Sequence, residues 1–167
     1  MKNIQKGDFK ITIQNDPPVH LFENQTPNSV DISPSCQHGI IVKNKDKEMS
    51  LLLNGYGGAT GIHENSYVFD SSNIYICVSD TIYSLDFKTL NINWFVKSDL
   101  ATCFGIYFIQ NTLIVHGELN ITSITLNGKI NWQESGNDIF TTLDGKEDFV
   151  ISGEVISVKD WNNKQYK

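Results

Sequence analysis

His116 and Glu118 stand two residues apart in VHGEL. On an extended strand, side chains at i and i+2 leave from one face. The spacing therefore predicts an imidazole and a carboxylate aimed at the same space, donor types suited to a metal ion or a small polar ligand. Two donors do not complete a metal site, and no H-x-x-x-H or C-x-x-C accompanies them, so no metal and no cofactor is expected. A ligand site here needs a third group from a neighbouring unit, His63 or Asp80.

A second candidate is the glycine-rich run NGYGGATG at 54 to 61. It lacks the G-x-G-x-x-G spacing and the lysine of a phosphate-binding loop. The residues that follow, IHENSYVFD, are strand-like, so no helix N-terminus is available to hold an anion. The run reads as a hairpin turn at Asn54-Gly55 continued by a flexible connection, and any ligand there is met by backbone amides, Tyr56 or His63. The candidate ligand residues are thus His116, Glu118, His63 and Tyr56. Cys103, in ATCFGIY, has no flanking group that would activate a thiol and reads as a small buried residue. Asp99, Asp138, Asp144 and Asp148 fall near turns, where aspartate is favoured for local hydrogen bonds. No catalytic constellation emerges, and the expectation is a protein that is not an enzyme.

The elements that would position these residues are strands. Short runs of alternating apolar residues, rich in Ile, Val, Tyr, Phe and Thr and separated by Asn, Asp, Gly and Ser, recur from FKITI (9 to 13) to VISVKDW (155 to 161). They include IYICVS (74 to 79), TLIVHGE (112 to 118) and IFTTL (139 to 143). No window of helical periodicity interrupts them, and the fold class is all-β. At 167 residues, 40% hydrophobic and 19% charged, the chain can bury a core and fold as one domain.

The runs also repeat. IYICVSDTIYSLDF (74 to 87) lies over LIVHGELNITSITL (113 to 126), DFVISGEVISVKDW (148 to 161) restates the theme, and IIVKNKDKEMSLLLNG (40 to 55) is a fainter copy. The period, about 35 to 39 residues, holds four short strands, too few to bury their own apolar face without neighbours. This divides the chain into a capping segment at 1 to 30 and repeats at 31 to 65, 66 to 98, 99 to 136 and 137 to 167. Asn127-Gly128 matches Asn54-Gly55, and with Asp144-Gly145 these suit two-residue hairpin turns with positive φ at both positions. Trp94, Trp132 and Trp161 recur near the ends of the repeats and are expected to pack between adjacent sheets.

Leu85, Asp86, Thr89 and Trp94 form L-D-x-x-T-x-x-x-x-W, which resembles the blade repeat of PQQ-like (quinoprotein-type) β-propellers. In the next copy Ile124, Gly128 and Trp132 stand at matching places, with Thr125 where the pattern has Asp. VDISPSCQHGIIV (30 to 42) resembles the Asp-x-Ser-Pro strand openings of other propeller repeats. The resemblance implies propeller-like blades, arranged as a small ring, an open arc or a twisted double sheet. Open sheet edges also make a homodimer an expectation. The chain is similar, too, to short bacterial proteins that share its C-F-G-I-Y, H-G-E and Trp elements.

Net charge −6 argues against nucleic acid and anionic membranes, which require a basic surface. No apolar run reaches membrane-spanning length, and MKNIQKGDFKITIQ, with two early lysines but no apolar run behind them, is not expected to be a secretory leader. Cys36, Cys77 and Cys103, odd in number and widely spaced, fit reduced thiols. The expectation is a cytoplasmic, protein-binding β-repeat module for a basic partner, in its most specific form an immunity-type inhibitor. A small-ligand or metal-binding protein is the alternative.

Overall fold

Alternation in the sequence becomes alternation of burial. Along the strands Asn73–Val78 and Thr81–Asp86 of the computed structural model, which describes residues 1–26 and 32–167, successive side chains supply two different core layers. Ile74, Ile76, Tyr83 and Leu85 face one way, while Tyr75, Cys77 and Ile82 face the other. A sheet that is apolar on both faces must stack on both sides, and four sheets do so in chain order.

The first sheet holds β1 (Lys2–Lys6), β2 (Phe9–Asn15), β3 (Asn24–Gln25), β4 (Cys36–Lys43) and β5 (Glu48–Gly55), in the order β1-β2-β4-β5-β3. Its pairings are antiparallel except β3 with β5. The second is the antiparallel meander β6 (Tyr67–Phe69), β7 (Asn73–Val78), β8 (Thr81–Asp86) and β9 (Ile92–Lys97). The third repeats it with β10 (Cys103–Ile109), β11 (Thr112–Gly117), β12 (Asn120–Thr125) and β13 (Ile130–Ser135). The fourth has three strands, β14 (Phe149–Ser152), β15 (Val155–Lys159) and β16 (Gln165–Tyr166).

Three core clusters join first to second, second to third and third to fourth sheets, and none of them joins the fourth to the first. The fold is all-β, built of propeller-like blades in an open series. Its two outermost faces differ from the stacked ones. In the fourth sheet Phe149, Ile156 and Val158 face the third, while Val150, Ser152 and Ser157 lie on the alternate positions. On the first sheet, Pro17 and Phe22 cover the outer face so closely that a Cβ on Gly39 would lie 2.8 Å from the Pro17 ring. Thr26 N–H donates to Leu52 O and Glu23 N–H to Ser50 Oγ, holding this cover down.

Several local expectations change. Within the segment expected to cap the array, β1 and β2 are strands of the first sheet; β1 is an exposed edge strand and needs little apolar content. Asn54-Gly55 is no turn. It continues β5 opposite Gln37 and Cys36, and buried Asn54 donates from its backbone N–H to Thr26 Oγ1 and from Nδ2 to Thr26 O. Thr125 N–H donates to Lys129 O around the three-residue loop 126 to 128, where Gly128 takes φ +85° and Asn127 does not take positive φ. Gly145 (φ +62°) closes a turn onto Thr142 O, but outside any hairpin. IFTTL is not a strand: Phe140 N–H reaches Glu118 O while its ring is buried between the third and fourth sheets. The supposed flexible connection at 55 to 61 is a close-packed crossing, in which Gly58 N–H donates to Ala101 O and a Cβ on Gly57 or Gly58 would collide with Ala101 O or Thr102 Oγ1. These glycines serve close approach. VDISPSC begins at 30 and 31, which lie outside the described residues.

Candidate functional site

His116 sits near the end of β11, opposite Gly105 across a β-bulge between Cys103 and Gly105. The bulge leaves room beside the strand, and the ring is buried there, with Phe104 edge-on at 5.4 Å and Phe149 stacked at 4.7 Å. Its Nε2 lies 2.7 Å from Phe140 O. A carbonyl only accepts, so Nε2 carries the hydrogen and Nδ1 is left as an acceptor. Burial holds this imidazole below the ordinary histidine range; the bond to Phe140 O and the charges of Asp148 and Asp99 oppose that shift. At neutral pH it is an uncharged, oriented ring.

Tyr107 also stacks on Phe149 at 4.7 Å, and burial, reinforced by nearby Asp148 and Glu64, pushes its phenol up to about 12. It stays a neutral hydrogen-bond donor. Across from these rings the crossing segment delivers His63, which accepts the Asn65 N–H at Nδ1 (3.3 Å) and so presents a protonated Nε2. Asp148, just before β14, accepts from Thr141 Oγ1 at 3.3 Å. These groups line a cleft of about 400 Å³ built by three separate segments: the crossing segment, β10 with β11, and the approach to β14.

Of the four residues expected to form a site, the fold gathers His63 and His116 and leaves out the other two. Glu118 does not share a strand face with His116, because β11 ends at Gly117, whose Cα packs against the Asp99 carboxylate. Glu118 instead ties loops together, its N–H to Thr102 O and its carbonyl to Phe140 N–H. Tyr56 lies upstream on the crossing, away from the cleft. Asp80 is buried in an ion pair with Lys97 at 2.9 Å. Asn65, Phe104, Tyr107 and Asp148 complete the cleft. Phe104 and Tyr107 belong to the C-F-G-I-Y element, but only the bulge aims them. Among the described residues no three His, Cys, Asp or Glu side chains stand together to hold a metal ion.

The thiols are held away from chemistry. All three cysteines are buried and free. Burial drives Cys77 well above the ordinary thiol range and Cys103 up to about 12, while Cys103 Sγ lies 3.0 Å from Ser98 Oγ. A protonated, buried thiol is a poor nucleophile.

The three tryptophans diverge. Trp94 packs across to the third sheet, its indole N–H donating to Leu126 O at 2.9 Å and its ring lying on Gly128. Trp132 is 40% exposed at the junction of the third and fourth sheets. Trp161 is 41% exposed, and its backbone N–H donates to Ile139 O.

No protein-family model matches the chain, and no curated protein matches it. Among the described residues no helix is long and apolar enough to cross a membrane.

Proposed function

We propose that this is a non-catalytic binding protein whose ligand site is the cleft between His63, His116, Tyr107 and Asp148. The observation that carries the reading is convergence: imidazoles 53 positions apart in the chain meet a carboxylate from a third unit around one cleft. With His116 neutral and Tyr107 protonated, Asp148 gives the cleft a negative balance. It suits a small neutral-to-cationic molecule with donor groups, lying against aromatic walls. Neither imidazole is paired with a nucleophile, which favours binding over catalysis.

The scaffold reading is kinship with PQQ-like propeller blades. In support, Leu85 is buried, Asp86 Oδ1 accepts the N–H groups of Lys88 and Thr89, and Trp94 bridges to the next sheet. Three free thiols favour a reducing, cytoplasmic setting. A thermal-shift screen of small amines and hydroxylated ring compounds tests the cleft. A true ligand at about 100 times its Kd stabilises by roughly 2.7 kcal/mol, a rise of several degrees that Asp148→Asn with Tyr107→Phe should abolish. A panel without a hit, or a hit indifferent to both substitutions, would refute the reading.

A second reading, a protein-binding module that inhibits a basic partner in the manner of an immunity protein, is favoured by the balance of charge. From residue 98 onward nine carboxylates outnumber five lysines, and Leu100 and Leu143 in the same stretch are 73% and 76% exposed.

A further inference from the structure

The second and third sheets contain the same tryptophan twice in the same register. Trp94 pairs with Ser84 and Trp132 with Ser123, each preceded in its own strand by a bulged residue, Asn93 or Asn131. Trp94 is satisfied from the next sheet by the loop at 126 to 128, which offers Leu126 O to the indole N–H and Gly128 to the ring face. Among the described residues no such loop reaches Trp132, whose ring is 40% exposed. The corresponding turn of the fourth sheet is drawn back on itself, with Asp160 N–H donating to Lys164 O and the Asp160 carboxylate accepting from Asn162 N–H, Lys164 N–H and the Tyr166 hydroxyl.

In place of the loop there are two openings of about 450 and 540 Å³, both bordered by Trp132 and Ile156. Where Trp94 has apolar Val96 two residues on, packed into the core between sheets, Trp132 has exposed Glu134. Glu154 borders the second opening and accepts from Gln110 Nε2 at 3.2 Å. Lys167 also borders the first. The surface keeps the aromatic half of a sheet junction and an apolar floor that includes Ile121, Ile156 and Val158, with Glu134 and Glu154 at its border.

We propose that this groove is a docking site for a polypeptide turn of a basic partner, seated on Trp132 as the loop at 126 to 128 is seated on Trp94. The turn supplies a backbone carbonyl to the indole N–H, a glycine against the ring and a lysine or arginine toward Glu134 and Glu154. A second copy of this chain does not fit the role with that loop, which is already engaged by Trp94. The inference rests on the protein-binding reading and involves no residue of the histidine cleft, so its failure leaves the cleft's ligand test intact.

The test is NMR titration of the ¹⁵N-labelled protein, with the Trp132 indole signal assigned through Trp132→Phe. The probe is a disulfide-closed hairpin peptide bearing a Leu-Asn-Gly-Lys turn, compared with the same peptide bearing Glu for Lys. The Trp132 signal should move saturably with the Lys peptide while Trp94 stays still. The Glu peptide should bind roughly 1.4- to 5-fold more weakly, the span of one exposed ion pair, and Glu134→Lys should reverse the preference. An unmoved Trp132 signal at about 1 mM peptide, equal binding of the two peptides, or a shift produced by a chitin trisaccharide and by neither peptide would overturn the proposal.

Discussion

Replacing Asp99 with alanine should be the most damaging single change at an exposed-looking loop position. The carboxylate is 2% exposed and accepts four backbone N–H groups. Ala101 (2.7 Å) and Thr102 (3.0 Å) bind Oδ1, while Leu119 (2.9 Å) and Asn120 (2.8 Å) bind Oδ2. It thereby fastens the loop leaving the second sheet to the turn between β11 and β12. A hydrogen bond to a charged group contributes about 1.5–3 kcal/mol, so four would exceed about 6 kcal/mol if independent. Deletion also removes the desolvation cost of the carboxylate and lets water reach the freed donors, leaving a net loss of about 3–5 kcal/mol. For a chain of this length that corresponds to a fall in Tm of roughly 10 °C. Asp138, which falls at the matching place in the next repeat, is the internal control. It is half-buried and among the described residues accepts Ile139 N–H and Asn162 Nδ2, so Asp138→Ala should cost no more than about 1 kcal/mol. Urea denaturation followed by tryptophan fluorescence and circular dichroism gives both values. Equal losses in the two variants would refute the idea that buried N–H satisfaction, rather than a generic turn preference, places aspartate at 99.

Trp94→Phe should destabilise by about 2–3 kcal/mol, because it empties part of a core and leaves Leu126 O without its donor; Trp132→Phe, at a half-exposed ring, should stay within about 1 kcal/mol in the same urea assay. Burial lowers the folded-state pKa of both His38 and His116. Their contribution to stability is therefore complete above the unfolded histidine value near 6.5 and is lost as pH falls below it, by at most ~1.4 kcal/mol per pH unit for each ring. Urea midpoints between pH 7.5 and 5 should fall, and the combined substitutions His38→Gln and His116→Gln should flatten that decline. The three thiols should ignore an aromatic disulfide reagent in the native protein at pH 8 and all react in denaturant, since each is buried and Cys103 in particular ionises only at about 12.

Much of the architecture was legible because strand alternation and the repeat are local in the chain. Ile74 to Asp86 and Leu113 to Thr125 are short apolar runs rich in Ile, Val, Tyr and Thr and bounded by turn residues, and such runs read as strands stacked on two sides. The misreadings were equally local. Asn54-Gly55 has the composition of a hairpin turn, yet Thr26, 28 positions earlier, captures Asn54 and keeps both residues in a strand. IFTTL has strand composition, but Phe140 is held by Glu118 O and a core between two sheets. Neither partner can be inferred from neighbouring residues.

The histidine cleft shows the same division. His116 drew notice through its spacing to Glu118, but that spacing assumes a strand that continues, and close packing of Gly117 on Asp99 ends it. What brings His63 to the cleft instead is the crossing segment, whose glycines press against Ala101 and Thr102. The sequence by itself determined that the chain is all-β, that it repeats, and that its tryptophans recur in register, because each of these follows from periodicity along the chain. Only the tertiary structure decided that two histidines share a cleft with Asp148 and that Trp94 is covered while Trp132 is left half-open. Those outcomes depend on which distant backbone segment reaches a given side chain, and no periodicity encodes that reach.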